Sequence, residues 1–273
     1  MKILVTGYKG FIGKNLSSYL TTKGHDVEGY DYIENVLPNP EGFDWVIHLG
    51  AISSTTERNV EKVLTHNLDF SMRLLQLCDH YGVNFQYASS ASVYGNQKIF
   101  DEDGELQPQS PYAWSKFLFD RFISQASIQD FKCLVQGFRY FNVYGDHEEH
   151  KKDQQSPISK FREQALSTGK IQLFENSKQY QRDFICVEDI CKVHELMLTQ
   201  DTSGIWNLGT GSTTSFEEIG QLISKKYNSQ IEYIPMPDNL KGQYQEYTCA
   251  NMDKLNSIVD VKFKTVKEYL DGK

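Results

Sequence analysis

Hydrophobic and polar positions follow two rhythms along the first half of the chain. Lys2–Thr6 is a short apolar run that stops at a glycine. From Phe11 the apolar positions Phe11, Ile12, Leu16, Tyr19 and Leu20 share one helical face, and Gly24 marks a stop. Strand-like runs follow at residues 25–30, 45–49, 83–88 and 132–137. Residues 59–80 carry a stripe of Val63, Leu64, Leu68, Met72, Leu75 and Cys78 that predicts a long helix, and Pro111–Gln125 predicts another. Strands alternating with helices imply parallel βαβ units, so the expected fold class is α/β with a doubly wound parallel sheet. After about Tyr144 the rhythm loosens. A polar loop over 146–155 leads to a helix from about Ser156 and then to short, irregular segments.

Two motifs add chemistry to this outline. Gly7-Tyr8-Lys9-Gly10-Phe11-Ile12-Gly13 lies between the first strand and the first helix. In such a G-x-x-G-x-x-G turn the first glycine permits a tight bend, the second a close approach of backbone to a pyrophosphate, and the third close helix–strand packing. The helix N-terminus then offers unpaired N–H groups and a partial positive charge. Asp31, at the end of the second strand and about 20 residues on, is placed to accept from adenosine ribose hydroxyls. The alternative is an ordinary glycine-rich turn. With Asp31 and no Lys or Arg between it and Glu57, NAD is favoured; Lys9 offers a partner for the 2′-phosphate of NADP, so both cofactors stay open. Residues 1–145 are thus expected to form a dinucleotide-binding domain, to which about 183–210 return, and 146–273 mainly a substrate lobe.

Tyr112-Ala113-Trp114-Ser115-Lys116 is a Y-x-x-x-K motif at the start of a helix, with both side chains on one face. A nearby ammonium favours phenolate and fits Tyr112 as general base. Ser90, just past a strand, can hydrogen-bond the same substrate oxygen. A solvated Tyr–Lys pair is the plainer reading of the spacing alone.

Composition narrows the function classes. With 28 Lys and Arg against 36 Asp and Glu, the 273-residue chain carries a formal charge of −8 and offers no basic footprint for nucleic acid or anionic membrane. No apolar run reaches the roughly 18 residues of a membrane span. Five cysteines without a CxxC pair fit reduced thiols and a cytoplasmic location. Cys186 and Cys191 read as core residues, and Trp45, Trp114 and Trp206 as packing residues. His147-Glu148-Glu149-His150 lacks the H-E-x-x-H order and reads as a solvated loop, so no metal is expected.

With these motifs the chain resembles the extended short-chain dehydrogenase/reductase superfamily of Rossmann-type nucleotide-sugar enzymes, and within it most resembles the ADP-L-glycero-D-manno-heptose 6-epimerases. The shared segments include Gly50-Ala51-Ile52-Ser53-Ser54-Thr55-Thr56-Glu57, the GFRYFNVYG run over 137–145, His150-Lys151 and the KGQYQ run over 241–245. The resemblance implies transient oxidation of the sugar at C6″ and reduction from the other face, with tightly bound NADP and no net cofactor consumption. It implies acid/base groups at Tyr112 and Lys151, supported by Ser90 and Lys116. It implies cofactor contacts at Phe11, Ile12, Asp31, Ser53, Asn67 and Lys116, which join Gly7, Lys9, Gly10 and Gly13 of the glycine turn, and Tyr32, Leu49, Gly50 and Ala51, as the expected cofactor site. Substrate contacts are implied at Ser90, Asn142, Lys151, Lys160, Phe174, Glu175, Arg182 and Tyr244, with a nucleotide-diphosphate sugar as partner and a homo-oligomeric assembly. A fork-shaped guanidinium such as Arg182 suits a diphosphate, although the plain reading of Arg182-Asp183 is a surface ion pair.

Three departures stand out. Only 13 residues separate Asp31 from Trp45, too few for the usual crossover, so the sheet should lack a strand or a helix. The loop after Lys151 reads Lys-Asp-Gln-Gln where the family has small and apolar residues, and Lys9 stands in place of a small residue. A C4-epimerase, a 4,6-dehydratase or a ketoreductase is the enzymatic alternative. Ala91-Ser92 after Ser90 lacks the acid a dehydratase needs. A non-catalytic NAD(P)-binding regulator is disfavoured because Ser90, Tyr112 and Lys116 are all present.

Overall fold

The computed structural model describes residues 1–33, 36–125, 130–238 and 245–272, with the side chains of residues 152 and 153 outside the description. The KGQYQ run, including Tyr244, falls largely outside the described residues. In chain order the first elements are β1 (Lys2–Thr6), α1 (Phe11–Thr22), β2 (Asp26–Tyr30), β3 (Trp45–His48), α2 (Val60–Leu64), α3 (Phe70–Tyr81), β4 (Asn84–Ser90), α4 (Pro111–Gln125) and β5 (Val135–Tyr140). There follow β6 (Asn142–Tyr144), α5 (Pro157–Thr168), β7 (Lys170–Phe174), β8 (Gln181–Arg182), β9 (Phe184–Cys186), α6 (Val187–Met197) and β10 (Gly204–Leu208). The chain closes with β11 (Thr214–Ser215), α7 (Phe216–Tyr227), β12 (Gln230–Ile234), β13 (Tyr247–Thr248), α8 (Asp253–Asn256) and α9 (Val266–Leu270).

The central sheet has six strands in the order β10-β5-β4-β3-β1-β2, and every pairing in it is parallel. Alternate side chains explain its two covered faces. Leu4, Val46, Phe85 and Tyr87 pack with Leu74, Leu75, Phe119 and Ile123 of α3 and α4. Ile3, Val5, Trp45 and Ile47 face the other way, onto Leu16 and Leu20 of α1 and Cys191 of α6. The order runs outward from β1 to β2 and then reverses through β3, β4 and β5. That reversal opens a crevice at the strands' carboxyl ends, where ligands bind in such sheets.

The short link between Asp31 and Trp45 shows in this topology. β2 forms the sheet edge, and β3 lies on the other side of β1. No crossover helix is assigned among the described residues of that link. Later segments also differ from simple expectation. β5 starts three residues after the expected run because the backbone N–H groups of Lys132 and Leu134 donate to Asp79 and Asn84 side chains on the way in. β4 extends to Ser90, pairing Ser89 with Arg139 and Ser90 with Tyr140. The helix expected over 59–80 is broken by a π-helical turn at Thr65–Asp69. Across it Asn67, Phe70 and Leu74 are buried, while Leu64, Leu68 and Met72 of the expected stripe are only half-buried.

Beyond the sheet, α5 and α7 pack around the parallel pair β7–β12, with Ile158, Phe161, Ile171, Leu173, Ile219 and Ile223 as their core. Cys186 and Cys191 are buried, as are Trp45 and Trp206. Trp114 departs from the packing expectation: it is 47% exposed and meets Phe117 edge-on. Among the described residues no helix is long and apolar enough to cross a membrane.

Candidate active site

A cleft of about 1020 Å³ opens over the carboxyl ends of β1, β3, β4 and β5. Its floor begins at the glycine turn. Gly7 has φ +70°, and a Cβ there would lie 2.7 Å from the Gly50 Cα. A Cβ on Gly13 would strike the Gly7 carbonyl oxygen. The turn is fixed by Gly7 N–H donating to the Tyr30 carbonyl at 2.7 Å and Gly10 N–H donating to that of Gly7 at 3.0 Å. Gly10 is the N-cap of α1 and supplies no side-chain cap. Its first N–H groups are therefore available to an anion, and the side-chain-free cradle fits the pyrophosphate of a dinucleotide.

Gly7, Gly10, Phe11, Ile12, Gly13, Asp31, Tyr32, Leu49, Gly50, Ala51 and Ser53 all line this end of the cleft. Lys9 sits beside it: its Nζ lies 3.5 Å from Asp31 Oδ2, and its backbone N–H donates to Asp31 Oδ1 at 3.5 Å. Tyr32 stacks on His66, with ring centroids 4.1 Å apart and planes 25° apart. His66 comes from the π-helical turn, and the sequence reading missed it.

Asn67, from the same turn, is buried behind the wall instead of lining it. Its Oδ1 accepts from Ile52 N–H at 2.8 Å, and its Nδ2 donates to the Ile52 carbonyl and to Ser115 Oγ, each at 3.0 Å. It thereby ties the Gly50–Ser53 turn to α4. His48 adds a second tie. Ser71 Oγ donates to the Asn67 carbonyl, so it accepts from His48 Nε2, and His48 Nδ1 accepts from Thr6 Oγ1. Burial, and then the Lys116 charge, push the His48 imidazole down to about 3, which keeps it neutral.

At the other end α4 presents Tyr112 and Lys116 next to Ser90 at the tip of β4, and all three line the cleft. Burial raises the Tyr112 phenol above its ordinary value, and the hydrogen bond with the Ser90 hydroxyl offsets only part of that rise. Lys116 is 5% exposed, and its Nζ donates to the Ala88 carbonyl at 2.7 Å, 6.0 Å from the centre of the Tyr112 ring. Burial lowers its ammonium to about 8, against a raising contribution from Asp120. Tyr140 and Asn142 complete this wall.

Lys151 enters the cleft from the short 3-10 turn Glu149–Gln154, its Nζ 5.1 Å from the centre of the Phe11 ring. Burial lowers its ammonium, and the Glu148 carboxylate counters part of that. An amine so placed is able to exchange a proton with a ligand in the cleft. His150, Gln154 and Gln155 lie alongside it.

Four other sequence candidates lie off the cleft wall. Lys160 is on α5, Phe174 ends β7, and Glu175 N–H donates to the Ile234 carbonyl. Arg182 is buried, not a surface residue. Its guanidinium donates to the Gln181 and Gln245 carbonyls at 2.8 and 2.5 Å and stacks 5.7 Å from the centre of the Phe216 ring. Asp183 is buried too and accepts from the backbone N–H groups of Thr210, Gly211 and Ala250. The surface ion pair is thus excluded as a description of Arg182-Asp183.

Known proteins share this fold. The model of the NAD-dependent epimerase/dehydratase family matches residues 3–209. The structure is similar to that of Helicobacter pylori ADP-L-glycero-D-manno-heptose-6-epimerase, with a TM-score of 0.88 and 25% identity over 99% of this chain and 94% of that one. It is also similar to Thermotoga maritima UDP-glucose 4-epimerase with UDP-glucose, with a TM-score of 0.85 and 23% identity over 99% and 96% of the two chains. Thermus thermophilus UDP-glucose 4-epimerase in complex with NAD gives a TM-score of 0.75 and 25% identity over 94% and 92%. The chain belongs to the NAD-dependent epimerase/dehydratase family.

Proposed function

We propose that the protein is a nucleotide-sugar epimerase that inverts C6″ of ADP-glycero-manno-heptose by transient oxidation and re-reduction. The observation that carries this reading is that two proton-transfer groups, Tyr112 and Lys151, enter one cleft from separate elements, α4 and the Glu149–Gln154 turn. A tightly bound nicotinamide dinucleotide supplies the hydride acceptor and donor. For one epimer Tyr112 takes the proton from the C6″ hydroxyl as the carbon loses hydride, leaving a ketone. Lys151 then gives a proton to the ketone oxygen as hydride returns to the other face. For the opposite epimer the two residues exchange roles. Ser90 orients the oxygen and Lys116 holds positive charge near Tyr112.

In this reading Ser90, Asn142 and Lys151 touch the sugar. Lys160, Phe174, Glu175, Arg182 and Tyr244 are assigned to substrate by resemblance alone. NAD is the proposed cofactor: Asp31 lines the adenosine end, and Lys9 is paired with it and so not poised alone for a 2′-phosphate. We also propose two lobes, 1–145 with about 183–210 for the dinucleotide and 146–273 mainly for substrate. β10 in the central sheet supports the returning segment. A homo-oligomer in the cytoplasm completes the proposal; the exposed Tyr81, Trp114 and Leu118 on α3 and α4 support the oligomer alone.

The test is incubation of the cofactor-loaded protein with ADP-D-glycero-D-manno-heptose, resolving the two C6″ epimers. Interconversion is expected. Unchanged heptose together with conversion of UDP-glucose to UDP-galactose would replace this reading by a C4-epimerase in which Tyr112 serves both faces.

A further inference from the structure

The segment from Gly145 to Ser156 carries Lys151 and begins and ends on one buried carboxylate. Glu148 is 2% exposed. Its Oε1 accepts from Gly145 N–H at 2.9 Å, Ser156 Oγ at 2.9 Å and Ser159 Oγ at 3.0 Å. Its Oε2 accepts from Ser156 N–H at 2.6 Å. Ser156 is the N-cap of the 12-residue helix α5, so the carboxylate also meets the favourable end of a helix dipole. Lys151 N–H donates to the Glu148 carbonyl at 2.8 Å. Between these anchors His147 holds a left-handed backbone, φ +70°, which a non-glycine residue keeps only when its surroundings enforce it.

We propose that Glu148 is a positioning residue whose carboxylate clamps both ends of the 145–156 segment and so places the Lys151 amine over Phe11 in the cleft. By sequence alone Glu148 belongs to a polar, solvated loop. Four donors converging on one buried carboxylate make it the anchor of that loop instead. The clamp has an electrostatic consequence. Around Lys151, the glycine turn contributes the uncharged Phe11 ring, its own segment contributes Asp146, His147, Glu148, Glu149 and His150, and α4 contributes Tyr112 and Lys116 across the cleft. Of these, Glu148 is the charge that acts on Lys151, holding the ammonium up against burial. Its removal should lower the Lys151 titration further.

This inference rests on the reading of Lys151 as a proton-transfer group, and its test separates the two. Holoenzyme labelled with 13Cε-lysine is titrated by NMR, with the Lys151 signal assigned by its loss in Lys151→Met. In Glu148→Gln the Lys151 midpoint should fall, and in Glu148→Asp it should return toward the wild-type value. Turnover of ADP-D-glycero-D-manno-heptose by Glu148→Gln should fall about 10-fold in kcat with KM little changed. Ser159→Ala keeps the charge, removes one donor and should give a smaller fall in kcat. An unmoved Lys151 midpoint in Glu148→Gln overturns the proposal even if thermal stability drops. So does wild-type kcat in Ser159→Ala, should Glu148→Gln not fold. Wild-type turnover by Lys151→Met, with the midpoint shift intact, would instead remove the catalytic reading and leave the clamp.

Discussion

Lys116 gives its ammonium to the carbonyl of Ala88, 2.7 Å away, not to the ring of Tyr112 four residues earlier. The lysine is therefore fixed by the end of β4, with its charge 6.0 Å from the centre of the phenol ring. Lys116→Met should remove that charge and raise the Tyr112 phenol above its present position. A group that must be ionised then becomes competent only at higher pH. The rising limb of kcat/KM in the direction that uses Tyr112 as base should move up. At neutral pH turnover should fall by about 10² or more. A pH profile of the two proteins checks both.

Acid should destabilise the fold through two buried imidazoles. His48 and His194 are each pushed down to about 3 by burial. Both are fixed in hydrogen-bond chains, His194 between Tyr140 and Gln86. The native state then binds fewer protons than the unfolded chain. The stability they contribute is full above the unfolded value near 6.5 and is lost as pH falls toward about 3. Between about pH 7.5 and about pH 5 each histidine should cost about 2 kcal/mol. Urea unfolding at both pH values should show a smaller acid loss in His194→Gln.

The dinucleotide site depends on backbone clearance and on Asp31. Gly13→Ala places a methyl group against the Gly7 carbonyl oxygen, and both partners are main chain or Cβ. The variant should retain little cofactor on purification. The wild-type extract should contain two phosphates per adenine, as in NAD, and not three. Phosphate and adenine assays of the released nucleotide decide this.

Asp120 lies beneath the site and accepts from Tyr87 Oη, Ser89 Oγ and Arg139 Nε at 3.0, 3.0 and 2.9 Å. Both ends of its ion pair are nearly inaccessible, 4% and 1%. Asp120→Ala would leave a buried guanidinium without its carboxylate and should destabilise the protein by about 3–5 kcal/mol. Denaturant titration measures the loss.

Local spacing made much of the site legible. Gly7, Gly10 and Gly13 declare a turn that excludes side chains, and Tyr112 and Lys116 share a helical face by their separation alone. The short link from Asp31 to Trp45 predicted a sheet lacking a strand or a helix, and β2 forms the edge of the six-stranded sheet. What escaped reading was long-range. His66 meets Tyr32 from a π-helical turn that the spacing of apolar residues does not declare. Ser89 and Ser90 look too polar for a strand, yet Asp120 satisfies the first and the second caps the turn that follows. The fork of Arg182 suits a diphosphate by type alone, whereas in the fold it lies off the cleft wall and donates to the main-chain carbonyls of Gln181 and Gln245. Glu148 became meaningful only once Gly145, Ser156 and Ser159 were seen to converge on it.

The most direct test of the two-group account is the rate at which Lys151→Met, loaded with cofactor and with its fold intact by circular dichroism, interconverts the C6″ epimers of ADP-glycero-manno-heptose. Loss of one proton-transfer group should slow interconversion about 10²–10⁴-fold relative to wild type, in both directions. Interconversion at the wild-type rate would contradict the account and leave Tyr112 to serve both faces alone.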